Sequence, residues 1–131
     1  AGWRGAIDGV IGSCLNAMGR LGADPARIIA AIGPHIGWSH YQVDSGFRVR
    51  FLQQSQDHDQ FFQIDLHCKD RFLFDLGGYV AGELRANGVR HIERVPGDSF
   101  ADHKLFFSYR RSVKQAESDY GRQLSVIACQ P

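Results

Sequence analysis

Net charge, cysteine and long apolar runs are all scarce in this sequence, and each scarcity closes off a class of function. Fifteen Lys and Arg stand against fourteen Asp and Glu, a formal net charge of +1. The bulk electrostatics therefore favour neither duplex nucleic acid nor an anionic membrane as a partner, and any anion site must be local. The three cysteines, Cys14, Cys68 and Cys129, are far apart and lack a C-x-x-C pair. That spacing offers neither a zinc template nor a redox couple, and reads as reduced thiols in a cytosolic, cytoplasmic protein. No apolar run approaches the ~20 residues of a membrane span, and no basic stretch leading into an apolar core marks a signal peptide. Nor does the chain carry G-x-S-x-G, a P-loop or G-x-G-x-x-G, which removes the usual serine hydrolases, nucleotide hydrolases and dinucleotide enzymes from first place.

What is present is ordinary globular composition: 131 residues, 44% hydrophobic and 22% charged, enough for one domain with a core. Ile7, Val10, Ile11, Cys14, Leu15 and Met18 recur at three- and four-residue spacing, predicting one amphipathic helix over residues 5–20. Gly9 and Gly12 would each weaken an isolated helix by ~1 kcal/mol, so a second element is expected to pack closely there. The apolar run of residues 28–32 predicts a buried strand, stopped by Gly33 and Pro34. A helix capped by Ser45 is expected over residues 45–54, then a polar surface loop over 53–60. Two strands follow, 61–66 and 71–74, joined by a turn at 67–70. Asp75 is placed to cap a helix closed by Asn87 and Gly88. Strands are expected at 91–95 and 123–128, with a polar, flexible stretch at 112–121. The alternation of helices and strands predicts an α/β (α+β) class with a mixed β-sheet sandwiched with helices.

The residues able to carry chemistry form two clusters. Arg4 stands between Trp3 and Gly5 one step before a helix, where its guanidinium and free helix N–H groups can converge on an anion; the alternative is an aromatic core anchor beside a surface salt bridge. Residues 106–111 read as a strand-like run in which Arg110 shares a face with Ser108 and Phe106, and Arg111 with Tyr109 and Phe107. One arginine can then enter a site while the other is solvated, or both can be exposed on an edge. His35 follows Gly33 and Pro34 at a strand end, a position that often faces a site. With His40 it makes a pair five residues apart that matches no zinc template, and each histidine taken singly favours a hydrogen-bonded or surface role. His58, flanked by Asp57 and Asp59, reads as solvated. Asp98 and Ser99 are placed either to orient a substrate or to form an Asx-type turn.

The order Ala1 Gly2 Trp3 Arg4 Gly5, then Ala31 Ile32 Gly33 Pro34 with Ile36 Gly37 and Tyr41 Gln42 Val43, then Phe106 Phe107 Ser108 Tyr109 Arg110 Arg111, then Gly121 Arg122 Gln123 resembles the laccase-domain family. That family is also called multicopper polyphenol oxidase, peptidoglycan editing factor or purine nucleoside phosphorylase. The similarity extends over nearly the whole chain, with residues 75–84 adding to it. It implies a metal-dependent enzyme that cleaves adenosine or inosine with phosphate, with adenosine deamination alongside; a peptidoglycan-precursor editing hydrolase, a polyphenol oxidase and a non-catalytic anion-binding fragment are the rival readings.

The resemblance further implies a zinc or copper ion held by two histidines and a cysteine that precede Ala1, so that residues 1–131 form the C-terminal part of one laccase-like domain and hold no metal alone. Partners would be a purine nucleoside and phosphate, with no nucleic acid and no membrane. From residue chemistry, Arg4 and Arg110 are the expected anion-holding pair, with Ser108 beside Arg110 and His35 as a proton donor or substrate contact. Two departures from the family pattern are His35, where many members have cysteine, and Asp98–Ser99, where many have Cys-Thr.

Overall fold

The computed structural model describes residues 2–128. Ala1 of the opening motif and the thiol Cys129 lie outside the described residues. The stripe of residues 5–20 makes two helices rather than one, α1 (Trp3–Ile7) and α2 (Val10–Arg20). The break is Gly9, whose φ of 82° lies in the left-handed region that glycine occupies without a Cβ penalty. Gly12 does sit under a close neighbour: a Cβ there would lie 3.3 Å from Asn87 Oδ1, at the C-terminal end of a later helix.

Asp24 begins a 3-10 turn, Pro25–Arg27, by accepting from the Ala26 N–H at 2.9 Å. Strand β1 (Ile29–Ile32) follows. It is not the buried strand that its apolar run predicts, since Ile29 is 64% exposed while Ile32 is buried. Among the described residues β1 has one neighbour, the strand His91–Arg94, paired in parallel with Ile29 opposite His91 and Ile32 opposite Arg94. A second 3-10 turn, Trp38–His40, leads into β2 (Gln42–Asp44). Asp44, not Ser45, caps α3 (Ser45–Leu52), its Oδ1 accepting from the Phe47 N–H at 2.7 Å.

Residues 53–60 are less loop-like than their polarity suggests, because Gln56–Phe61 winds into a 3-10 helix. His58 within it is not solvated. Its Nδ1 lies 3.0 Å from the Phe51 carbonyl oxygen and its Nε2 3.6 Å from Glu83. The turn between β3 (Phe62–Ile64) and β4 (Arg71–Phe74) forms as expected, and the antiparallel order in that sheet is β2-β4-β3. Asp75 Oδ1 accepts from the Gly78 N–H at 2.8 Å and starts α4 (Leu76–Ala86), beyond which Gly88 takes φ 89°. β5 (His91–Arg94) then returns to β1.

The architecture is mixed α/β, realised as one parallel pair and one three-stranded antiparallel sheet. Helix α4 joins them, running from the end of β4 to the start of β5. Its inner face carries Leu76 and Tyr79 into a core shared with Ala6, Tyr41, Val43, Phe51 and Phe74. The core is aromatic rather than aliphatic. Phe51 meets Tyr79 edge-on at 4.9 Å and Phe74 at 4.8 Å, and Phe62 stacks on Phe74 at 4.7 Å. Such offset and edge-on pairs add ~0.5–1.5 kcal/mol each beyond area burial. Among the described residues no helix is long and apolar enough to cross a membrane.

The C-terminal third departs most from the sequence pattern. Residues 106–111 are not a strand: Tyr109–Lys114 is a helix, α5, and extended Ser108 caps it by accepting from the Arg111 N–H at 3.4 Å. Arg110 and Arg111 are therefore separated by a helical step of ~100° rather than by strand alternation. Ser112, expected in a flexible stretch, is a buried residue of α5 whose hydroxyl donates to the Tyr109 carbonyl at 2.9 Å. Residues 123–128 do not form the expected strand. They find no ladder partner among the described residues, and Leu124, Val126 and Ile127 stay exposed.

Candidate functional site

Arg4 lies in the short helix α1, exposed, with its guanidinium 5.3 Å from the centre of the Trp3 ring. Arg50, from α3, covers the same ring at 5.8 Å. Trp3 packs on Phe47 at 4.8 Å, Phe47 lies 6.1 Å from Tyr41, and the Arg110 guanidinium sits 5.1 Å over Tyr41. Arg4 and Arg110 thus stand at the two ends of one aromatic row of tilted rings. A guanidinium held on a ring face keeps its N–H edge available, because the attraction uses the flat face.

Arg110 is fixed further by one hydrogen bond, Nη1 to the Gln42 carbonyl at 2.7 Å. That leaves most of its five donors for other partners. Burial pushes the Tyr41 phenol up to about 12, against the opposing pull of the Arg110 charge, so the ring under Arg110 stays neutral. Arg111 is not solvated. Its Nη1 donates to the Ser99 and Phe100 carbonyls at 2.8 and 2.9 Å, and its Nη2 to the Phe106 carbonyl at 2.5 Å. This arginine is a clamp on the loop before α5.

The remaining expected site residues are placed elsewhere. Ser108 is committed to capping α5. His35 has its Nδ1 2.9 Å from the Gly33 carbonyl oxygen and its ring against Gly77, where a Cβ would collide with Nε2 and lie 2.8 Å from Cε1. The ring borders an apolar groove of about 540 Å³ between α2, β1 and α4, along with Cys14, Leu15 and Leu84. The His35 backbone carbonyl accepts from the Ser99 N–H at 3.0 Å.

That contact brings the loop of residues 97–100 beside the 3-10 turn Trp38–His40, and there the structure forms a pair that the sequence does not announce. His40 Nδ1 lies 2.6 Å from Asp98 Oδ2, across 58 residues of chain. The His40 ring stacks on Phe100 at 5.0 Å. Asp98 Oδ1 also accepts from the Phe100 and Ala101 N–H groups at 2.8 and 3.3 Å, so the Asx turn is real as well. Burial alone would raise the Asp98 carboxyl. The donors from Gly37, His40, Phe100 and Ala101 outweigh it and hold the group below the usual carboxylate range. The only local hint of this pair is Gly37, where a Cβ would collide with Asp98 Oδ2.

Among the described residues no three His, Cys, Asp or Glu side chains converge as ligands for a metal ion. The donors described in this chain therefore do not by themselves fit a copper or zinc centre. An open cleft of about 850 Å³ lies beside the arginine clamp, bordered by Phe107, Ser108, Arg111, Glu117 and Tyr120.

The family profile described as multi-copper polyphenol oxidoreductase laccase matches residues 1–130. The chain is 32% identical over 127 residues to a purine nucleoside phosphorylase of Rickettsia conorii, covering 97% of this chain and 52% of that protein. It is 33% identical over 127 residues to a purine nucleoside phosphorylase of Rickettsia prowazekii, with the same coverage. It superposes on the crystal structure of the Bacillus licheniformis hypothetical protein YfiH with a TM-score of 0.77 at 29% identity, covering 86% of this chain and 43% of that one. The chain spans about half the length of the curated relatives it matches.

Proposed function

The chain belongs to the multi-copper polyphenol oxidoreductase laccase family, and from that membership we propose that the intact protein is a purine nucleoside phosphorylase. The observation that carries the reading is the similarity, along 97% of this chain, to relatives bearing that name. Inosine or adenosine and phosphate would be the substrates, and residues 1–131 the C-terminal part of the catalytic domain. A zinc or copper ion belongs to this reading as a group held by residues of the intact protein outside this chain. Free Cys14 and Cys68 suit a reducing, cytoplasmic setting.

Cleavage of the N-glycosidic bond builds positive charge on the sugar and negative charge on the departing base, while phosphate must be held close enough to bond C1′. Arginine suits the phosphate because its planar fork matches two oxygens at once. Arg110 serves this role best, since Tyr41 and the Gln42 carbonyl orient it while most of its N–H groups stay open. Arg4, on the exposed face of Trp3, is the second anion contact. Ser108 supports the site by starting α5. The contacts of His35 favour packing against α4 over proton donation.

The test is phosphate-dependent release of hypoxanthine from inosine by the intact protein. Release without phosphate would point to a hydrolase, and oxidation of a phenol without nucleoside cleavage would support the activity in the family's description instead.

A further inference from the structure

We infer that His40 and Asp98 form an acid–base dyad serving the same site as Arg110, with His40 the catalytic residue that carries the proton and Asp98 the residue that positions it. The inference rests on the phosphorylase reading for its substrate and on geometry for the dyad itself.

An ionised carboxylate only accepts hydrogen bonds, so the 2.6 Å contact to Asp98 Oδ2 requires the hydrogen on His40 Nδ1. Nε2 is then the nitrogen left to exchange a proton, and the His40 side chain is 39% exposed. A histidine oriented through Nδ1 by a carboxylate, with Nε2 outward, is the arrangement that general acid–base chemistry uses. The pair is built rather than incidental. Phe100 stacks on the ring, the Asp98 carboxylate takes several further N–H donors, and only a glycine at position 37 leaves room for it.

Its placement ties it to Arg110. His40 directly precedes Tyr41 and Gln42, the two residues that hold the Arg110 guanidinium. Asp98 directly precedes Ser99 and Phe100, whose carbonyls Arg111 grips. Neighbouring arginines of α5 thus fasten the two segments that carry the dyad, Arg110 the one after His40 and Arg111 the one after Asp98.

In phosphorolysis the C1′–N bond breaks with its electron pair passing to the base, while a phosphate oxygen forms the new C1′–O bond. Protonated His40 gives its Nε2 proton to a nitrogen of the departing purine and is left neutral, its Nδ1–H still donated to the Asp98 carboxylate. The hydrogen of the attacking hydrogen phosphate, released through solvent as the sugar ester ionises, restores His40, so no net proton is consumed.

The experiment compares the intact wild-type protein with H40N, H40Q and D98N, following base release from inosine and the ¹⁵N signals of the His40 ring. General acid–base groups contribute ~10²–10⁴-fold, so both His40 variants should lose on the order of 100-fold in kcat with KM for phosphate little changed. D98N should lose kcat in the same sense, and the Nδ1–H tautomer of His40, dominant in the wild type at neutral ring charge, should disappear from its spectrum. Folded His40 variants that keep kcat within a few-fold of an active wild type would overturn the inference. An inactive wild type would sink the phosphorylase reading instead, and the dyad would then stand or fall on the tautomer, its absence from the wild-type spectrum overturning it.

Discussion

Glycine 37 shows how one missing side chain sets the geometry of this molecule. Its backbone has ordinary extended angles, φ −63° and ψ 146°, so conformational freedom does not explain the residue. Space does: the Asp98 carboxylate occupies the volume that a Cβ would need. Gly37→Ala should therefore push Asp98 away from the turn, costing ~1–3 kcal/mol by overpacking and lengthening the contact to His40. A fall in Tm together with a changed His40 ring signal would bear this out, whereas an unchanged Tm would mean that the loop yields without cost. Gly77 is the same kind of position on α4. Alanine there would displace the His35 ring, with a loss of similar size in thermal unfolding but no change in the His40 signal, since the His35 ring faces the apolar groove.

Helix α5 is short, and its tertiary contacts rather than its six residues hold it in place. Arg111 is the chief of these, with three backbone carbonyls on one guanidinium. Charged hydrogen bonds contribute ~1.5–3 kcal/mol each and are not additive, so Arg111→Ala should cost ~3 kcal/mol in denaturant unfolding. Arg111→Lys should recover little, because an ammonium cannot reproduce the planar fork that spans the loop. Full recovery by lysine would show that charge alone holds the loop.

The contrast between legible and illegible elements has the same physical root. Asp75, the stripe of α4 and Gly88 were readable because a cap, a helix and its stop are written within adjacent turns. The β3–β4 hairpin was readable for the same reason. The Ser108 cap was masked by aromatic residues that suit a strand, and α5 is fixed by carbonyls 5 to 12 residues away. The break at Gly9 needed a left-handed residue that the periodic stripe concealed. Arg4 and Arg110 were visible as residue types, but the aromatic row between them was not. The His40–Asp98 pair, 58 residues apart, depends on the β1–β5 pairing and on the turn after it, which no local spacing encodes.

The whole molecule is held by an aromatic core with ionisable groups at its margins, and its pH limits follow from them. Burial pushes the Tyr79 phenol up to about 12, with the nearby Glu83 charge adding to the effect, and burial does the same for Tyr41. In the unfolded chain both ionise near 10. The folded state therefore binds more protons between pH 10 and 12, and stability falls as pH rises through that window before levelling off. Two groups shifted by this much should together remove several kcal/mol, on the order of 2 kcal/mol each.

At the acid end the sign reverses. The Asp65 carboxyl is lowered chiefly by the Gln42 amide at 2.6 Å, and Asp98 is lowered in spite of its burial. Both contribute stability above the unfolded carboxylate value near 4, and that contribution is lost as pH falls through their lower folded values. Denaturant unfolding from pH 2 to 12 should thus trace a plateau with two falling shoulders. Tyr79→Phe should flatten the alkaline shoulder by about half while leaving the acid one alone. An alkaline limb unchanged in Tyr79→Phe would show that the deprotonation of other groups, and not the buried phenols, sets the upper limit.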